Sequence, residues 1–353
     1  FFMEYKILGR TGVKVSSFCL GTDNFADPTP EKESIQILET AIDAGINLLD
    51  TGDVYADGEG ERIIGRALKQ NGKRNEVLIA TKVDHGEAQP GLPYGFAQSH
   101  LTKKSKFYSP NLYGHNRLSI INACEKSLKR LKTDYIDLYQ LHRPSSIVPI
   151  EETLGVLTDL IKQGKIRYIG CSTHPAWKVA ESIRISEKNH LSKIVTEQSP
   201  YNLLDRRIEN ELIPMCENYG LGLITWGPLA MGVLAGRYKK NKKNPSNSRA
   251  LLRGGFYAER VNERGIEAGM KLDKIAKKLG FSSAQLAVLW VKHQKGVTAP
   301  LIGPRTIKQL KDFIKIFDKT INESILELCD KIVPPGSAVA DFHNTAPWMK
   351  MKI

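Results

Sequence analysis

The sequence predicts an α/β chain closing into one (β/α)8 TIM-type barrel, with an N-terminal β-hairpin cap and long loops at the C-terminal face. Three observations lead there. A short β-branched run, a polar loop and an amphipathic helix recur along the chain, which argues for parallel strands with helices outside. Eight candidate strands can be counted, the number that closes a barrel, although an open doubly wound sheet with an extra domain would give a similar string. Gly45, Gly164 and Gly220 stand where helices should finish and tolerate a left-handed cap.

In chain order, Tyr5 to Leu8 and Val13 to Val15 flank Gly9-Arg-Thr-Gly12, the expected hairpin. The strands are read as Val15 to Leu20, Asn47 to Asp50, Val77 to Lys82, Ile136 to His142, Ile166 to Ser172, Ile194 to Gln198, Leu221 to Trp226 and Ala299 to Ile302. Between them, apolar residues at three- and four-residue steps mark helices: Ile35, Leu38, Ile42, then Ile121, Cys124, Leu128, Leu131, then Ile208, Leu212, Met215. Two segments, Asp84 to His115 and Arg237 to Asn262, are too long and irregular for ordinary connections, a length that usually signals function or disorder. The expected organisation is a barrel over 3–333 and a tail over 334–353, with Phe1 and Phe2 set aside ahead of Met3.

The chain has 353 residues, 41% of them hydrophobic, enough for one large domain or two ordinary ones. Its apolar runs are short and no basic segment leads into an apolar core, so neither a membrane span nor a signal peptide is expected. Five widely spaced cysteines without a C-x-x-C pair fit reduced thiols of a cytoplasmic protein. The net charge of +13 is concentrated: Arg237, Lys239, Lys240, Lys242, Lys243, Arg249 and Arg253 contribute seven positives with no acid between them. No nucleic-acid-binding signature accompanies them, and a local basic loop suits a phosphate-bearing small molecule or plain solvation.

Chemistry in a parallel barrel is expected at the C-terminal ends of the strands. Asp50 closes the second strand, Tyr55 follows in the same loop, Lys82 closes the third and His142 the fourth. Singly, each has a bland reading as a cap, a surface residue or a satisfied buried group. Together, three successive strands ending in Asp, Lys and His make little sense as core packing, because unpaired buried charges are costly. An ammonium near a phenol stabilises the phenolate, so Lys82 is expected to lower the Tyr55 pKa, with Asp50 orienting Lys82 and His142 donating to a substrate oxygen. Metalloprotease, paired C-x-x-C, P-loop, nucleophile-elbow and G-x-G-x-x-G motifs are absent from the sequence. His142 and His174 end neighbouring strands without an evident third ligand, so no metal is expected.

Asp50-Thr-Gly-Asp-Val-Tyr55, Ala80-Thr-Lys82 and Asp134-Tyr-Ile-Asp-Leu-Tyr-Gln-Leu-His142-Arg-Pro144 together resemble the aldo-keto reductase superfamily. The resemblance continues through Gly164 to Ser172, Glu197 to Asn202, Trp226 to Leu234 and Ile302 to Thr306, in the family's order. It implies Tyr55 as general acid, Lys82 and Asp50 as its modulators and His142 as the carbonyl-orienting group. It further implies an NADP(H) cofactor. Ser172, Thr173 and Gln198 would hold the nicotinamide, with Thr173 standing where asparagine or arginine is common. Trp226 would stack on the ring, Gly227, Pro228, Leu229, Ala230, Met231 and Arg237 would follow the pyrophosphate, and Thr22 would be a further cofactor-binding residue. Gly303, Arg305, Gln309 and Asp312 would meet the adenosine phosphate end, where Phe313 replaces an asparagine often found. The implied partner is a small carbonyl or alcohol substrate; the 84–115 segment, with Tyr94, Phe96, His100, Lys103, Lys104, Lys106, Phe107, Tyr108 and Tyr113, is read as either lining its pocket or packing on the surface. A second reading is a cofactor-binding regulatory subunit resembling potassium-channel β subunits.

Overall fold

A computed structural model of the chain describes residues 2–83, 111 and 114–343. The aromatic and basic residues singled out between 84 and 113, and Trp348 in the tail, lie outside the described residues. A two-stranded antiparallel hairpin, β1 (Tyr5–Ile7) with β2 (Lys14–Ser16), opens the fold. Eight parallel strands follow: β3 (Cys19–Gly21), β4 (Leu48–Asp50), β5 (Leu78–Val83), β6 (Ile136–Leu141), β7 (Ile166–Ser172), β8 (Ile194–Pro200), β9 (Gly222–Trp226) and β10 (Val297–Ile302). They close in the order β10-β3-β4-β5-β6-β7-β8-β9, the expected (β/α)8 barrel.

The helices are α1 (Glu31–Asp43), α2 (Glu59–Asn71), α3 (Arg117–Leu131), α4 (Ile150–Lys162), α5 (Ala176–Lys188) and α6 (Leu212–Tyr219) in the first six units. After β9 come α7 (Arg249–Arg253), α8 (Phe256–Glu259), α9 (Glu263–Lys278) and α10 (Ser283–Lys292), and after β10 α11 (Ile307–Ile314) and α12 (Glu323–Asp330). Gly45, Gly164 and Gly220 all take positive φ behind their helices, as the stop signals require. Among the described residues no helix is long and apolar enough to cross a membrane, and all five cysteines are free and buried.

Three expectations need correction. The run Val15 to Leu20 is two strands: β2 belongs to the hairpin, and the chain turns at Ser17 and Phe18 before entering the barrel as β3. The Ile208–Met215 periodicity spans a break, with Ile208 in a 3-10 turn and α6 beginning only at Leu212. Pro214 sits in the first turn of α6, where its missing N–H costs nothing, and could not sit deeper. The Arg237–Asn262 segment is irregular only in part, because Ser248 and Gly254 delimit α7 and α8 follows.

Two apolar layers result. The larger lies between strands and helices; the smaller fills the lower barrel with Cys19, Leu48, Ala80, Leu138, Ile224 and Ala299, closed from below by Leu8 and Val15 of the hairpin. Above that layer the inward positions turn polar, and this change of character along each strand places the site. The tail is partly docked: Val339 N–H donates to the Leu204 carbonyl at 2.9 Å, and Phe342 is fully buried.

The hairpin turn approaches the barrel floor closely at Gly9, which has a φ of +55°. A Cβ there would stand 2.7 Å from the Gly222 nitrogen and 2.9 Å from the Gly220 and Val195 carbonyl oxygens. Gly12, also left-handed, has open space around it. Gly9→Ala should therefore cost about 3 kcal/mol and Gly12→Ala about 1 kcal/mol in urea unfolding, the difference measuring the close approach. Equal losses would show that the hairpin does not seat on the floor.

Candidate active site

Alternation sends Asp50, Lys82, Gln140, Ser172 and Gln198 toward the barrel axis from five strands, β4 to β8. Asp50 and Lys82 are each 1% exposed, and Lys82 Nζ lies 2.6 Å from Asp50 Oδ1. The ammonium also donates to the Thr51 carbonyl at 2.8 Å and the Tyr55 hydroxyl at 3.1 Å, which uses all three of its protons. Asp50 Oδ2 accepts from Gln198 Nε2 at 2.7 Å and Gln140 Nε2 at 3.2 Å. His142 follows β6, and its ring meets that of Tyr55 edge-on with centroids 6.0 Å apart. The four residues read from the strand ends thus converge.

This arrangement fixes where the phenol proton points. Lys82 has no acceptor, so the Tyr55 oxygen must receive its bond, and the Tyr55 hydrogen is left to face away from Lys82. Burial pushes the Tyr55 pKa up to about 12; Lys82 pulls it down, while Asp50 and Asp23 push it further up. The expectation of a lowered Tyr55 pKa is therefore corrected: desolvation outweighs the ammonium. For Lys82 burial acts downward, but the charges of Asp50 and Tyr55 prevail and raise it.

Local structure holds Tyr55 in place. The residues after it, Ala56 and Asp57, both have positive φ (47° and 54°), followed by Gly58 at 80°. Two left-handed non-glycine residues in succession are strained and need outside support. Glu61 of α2, fully buried, accepts from Thr81 Oγ1 at 2.6 Å and Arg130 Nε at 2.5 Å. A Cβ on Gly58 would stand 2.6 Å from Arg130 Cδ, so the arginine lies flat on this turn. One carboxylate thereby ties the helix after Tyr55 to the strand residue before Lys82.

A cavity of about 820 Å³ runs from this cluster toward α11. Asp50, Tyr55 and His142 line it, as do Thr22, Ser172, Gln198, Trp226, Gly227, Pro228, Leu229 and Met231. At the far end stand Arg237, Gly303, Arg305, Gln309 and Asp312. Of the residues read from the sequence, Lys82, Thr173 and Ala230 are not at the surface of the cavity but buried beside it. The basic segment divides: Arg237, Arg249 and Arg253 face the cavity, whereas Lys239, Lys240, Lys242 and Lys243 are exposed.

Several lining residues escaped the sequence reading. Asp23 pairs with Arg249 at 2.8 Å and Arg253 at 3.5 Å, joining the segment after β9 to the end of β3. Asn24 accepts from Arg249 at 2.7 Å. Arg143 Nη1 reaches Thr173 Oγ1 at 3.1 Å and Ser172 Oγ at 3.3 Å. Arg260, 3% exposed, lies over the rings of Trp226 and Phe342, 5.4 Å from each centroid. Asp23, Asn24 and Arg143 directly follow strand ends, a signal the sequence carried; Arg260 had none.

Burial lowers the Arg305 pKa, and the charges of Arg249, Arg237 and Arg253 lower it further. Guanidiniums that repel one another across a cavity make an anion site. His174, read from the sequence only as ending a strand next to that of His142, clusters with Cys171 and Glu197, their ligand-type atoms all within 4.8 Å.

Comparison with known proteins shows the family of the chain. The profile of the Aldo/keto reductase family matches residues 17–334. An uncharacterized oxidoreductase of Bacillus subtilis, YrpG, is 36% identical over 348 residues, 97% of this chain and 99% of that protein. An aldo-keto reductase of Alternaria alternata is 37% identical, covering 93% of this chain and 89% of its own. A probable voltage-gated potassium channel subunit beta of Oryza sativa is 34% identical, covering 94% and 95%. An eight-stranded barrel carrying Asp50, Tyr55, Lys82 and His142 at its rim, matched along almost its whole length, belongs to the aldo/keto reductase family.

Proposed function

We propose that the chain is an NADP(H)-dependent reductase of a small aldehyde, ketone or keto-sugar. The observation that carries this reading is the Lys82–Tyr55 bond, which leaves a phenol proton pointing away from the ammonium beside a cavity of cofactor size. The cofactor would supply the hydride. The chain's own residues fit it: Arg237, Arg249, Arg253 and Arg305 gather at one end, where phosphates would relieve their mutual repulsion. At the other end Trp226 offers a flat face for a ring. Gln198 Nε2 is engaged by Asp50, so its Oε1 is the acceptor left for a carboxamide NH2.

In the chemical step Tyr55 protonates the carbonyl oxygen and Lys82 stabilises the phenolate left behind. Asp50, itself held by Gln140 and Gln198, keeps Lys82 oriented, and His142 directs the substrate oxygen toward the phenol. Lys82, Asp50 and Thr51 are buried, so water does not compete for the protons of the ammonium. A second reading, a regulatory subunit that holds cofactor with little turnover, is favoured by the likeness to plant proteins named as channel β subunits.

Three outcomes test the first reading. Tyr55→Phe should lower kcat for carbonyl reduction about 10²- to 10⁴-fold while NADPH binding stays within about twofold of wild type. NADPH bound without turnover by either protein would favour the regulatory reading.

With the Tyr55 pKa pushed up to about 12, the phenol is protonated across the neutral range and reduction loses nothing from its titration up to about pH 10. Alcohol oxidation by NADP, which needs the phenolate, should instead rise about tenfold per pH unit over the same range. A reduction rate that falls between pH 7 and 9, with that alkaline limb assigned to Tyr55, would contradict this.

Arg305→Ala should weaken NADPH about 10- to 100-fold, the loss of one charge-assisted contact, and leave NADH within about twofold. Equal losses for both nucleotides, measured by fluorescence titration, would remove Arg305 from the 2′-phosphate.

A further inference from the structure

Behind the Ser172–Gln198 wall of the cavity lies a buried polar cluster that the chemistry above does not use. Strands β7 and β8 pair Cys171 with Glu197 and Ser172 with Gln198. Because neighbouring residues face opposite sides of a strand, the second pair looks into the barrel and the first into the layer beneath the helices. Glu197 is fully buried there. Its Oε2 accepts from Cys171 Sγ at 2.8 Å; its Oε1 accepts from Ser199 Oγ at 2.9 Å and from the backbone N–H of His174 at 3.2 Å.

The His174 amide belongs to the turn that leaves β7. Thr173, the residue before it, has a φ of +57°, a conformation that a β-branched side chain takes only when its surroundings compel it. Two bonds hold the turn from opposite sides: the Thr173 N–H to the Gln198 carbonyl at 2.9 Å, and the His174 N–H to Glu197. His174 Nδ1 also turns back to the Ser172 carbonyl at 3.0 Å. In this conformation Ser172 Oγ and Thr173 Oγ1 converge on Arg143.

The same donors could be read as a metal cage, but the cluster is closed upon itself. Both carboxylate oxygens already accept protein protons, and burial raises the Cys171 thiol well above its ordinary range and the Glu197 carboxyl to about 7. A metal needs both groups deprotonated, the opposite direction.

We propose that Glu197 is a positioning residue for the cofactor, holding from behind the barrel wall the turn at left-handed Thr173 that sets Ser172 and Arg143, two residues lining the cavity beside Gln198. This rests on the cofactor reading given above. It assigns a role to a fully buried acid that touches neither cofactor nor substrate, through a bond to main chain rather than to a side chain. It also predicts which second change should repair its loss. Asparagine enters the left-handed region far more readily than threonine, so Thr173→Asn should reduce the need for the tether.

The test compares wild type, Glu197→Gln, Thr173→Asn and the double variant by NADPH titration, kcat at saturating NADPH, thermal melting, and hydrogen exchange of the peptide containing Thr173 and His174. Glu197→Gln should raise the NADPH dissociation constant about tenfold, as expected for weakening one charge-assisted bond, with kcat within about twofold. Exchange at the turn should accelerate, and Thr173→Asn in that background should recover most of both losses without restoring the melting temperature. Ser199→Ala, which removes one donor and keeps the carboxylate, should shift the same readouts by about threefold and serves if Glu197→Gln does not fold. Unchanged affinity and exchange in Glu197→Gln would overturn the proposal. So would a loss that Thr173→Asn fails to repair, or one zinc per chain in the purified wild type. Failure of wild type to bind NADPH would instead fall on the cofactor reading, since exchange at the turn reports the tether without any nucleotide.

Discussion

The site depends on one buried ion pair. Lys82 and Asp50 sit 2.6 Å apart with almost no exposure to water. Removing two charges from water costs several kcal/mol each, and their attraction repays this only when every remaining proton and lone pair is engaged. Here they are: the ammonium gives its protons to Asp50, Thr51 and Tyr55, and the carboxylate takes Gln140 and Gln198 on its second oxygen. These partners come from β4, the loop after it, β5, β6 and β8. A pair that can be satisfied only when those elements are assembled makes barrel closure and site formation a single event, and a half-formed barrel would carry the full desolvation penalty.

That constraint explains the division of the barrel interior. Below the pair, Leu48, Ala80, Leu138, Ile224 and Ala299 fill the axis, and Leu8 and Val15 close it from underneath. The plug keeps water from reaching the ion pair through the floor, which would weaken each bond around Lys82. Above the pair, Asp50 and Tyr55 line the cavity, which gives water or ligand a way in. Tyr55, on the boundary, gains its high pKa from the dry side and presents its proton on the other. The turn that holds it there contains two left-handed residues, Ala56 and Asp57, and strain of this kind persists only because Arg130 and Glu61 brace it.

How much of this could be read in the sequence follows from the range of each signal. Strand-to-helix alternation is local, and seven of the eight barrel strands appear within a few residues of where they were read; Val15 to Leu20 misled because the hairpin and the barrel contribute adjacent runs of the same composition. The tetrad was legible because Asp50, Lys82 and His142 stand at strand ends and Tyr55 in the loop after one, and in a parallel barrel strand ends share one rim. Gln140 could have been found by the same rule, two residues before His142 on the inward face. Arg260 could not, since its place over the Trp226 and Phe342 rings brings together three distant segments. Glu197 was read only as part of a motif string. Its outward direction follows from alternation, but the bond to the His174 amide depends on a turn geometry that no residue type announces. The Tyr55 pKa was misjudged for a related reason: the lysine is visible in a sequence and the depth of burial is not.

The charge distribution along the cavity gives the ligand a direction. At the Tyr55 end the Lys82 and Asp50 charges cancel in place, so the local field is weak and a neutral reacting group can be brought in without penalty. At the Arg305 end, Arg237, Arg249 and Arg253 stand with Arg305, and Asp23 is paired with two of them. Their shared repulsion is already felt in the lowered Arg305 pKa. A ligand carrying phosphates at one end and an uncharged ring at the other would be drawn in one orientation only, with its phosphates replacing repulsion by charge-assisted bonds. The reverse orientation would bring phosphate beside Asp50 and leave the guanidiniums unrelieved. The arginine end would thus set the ligand's direction before any contact forms beside Gln198 and Trp226.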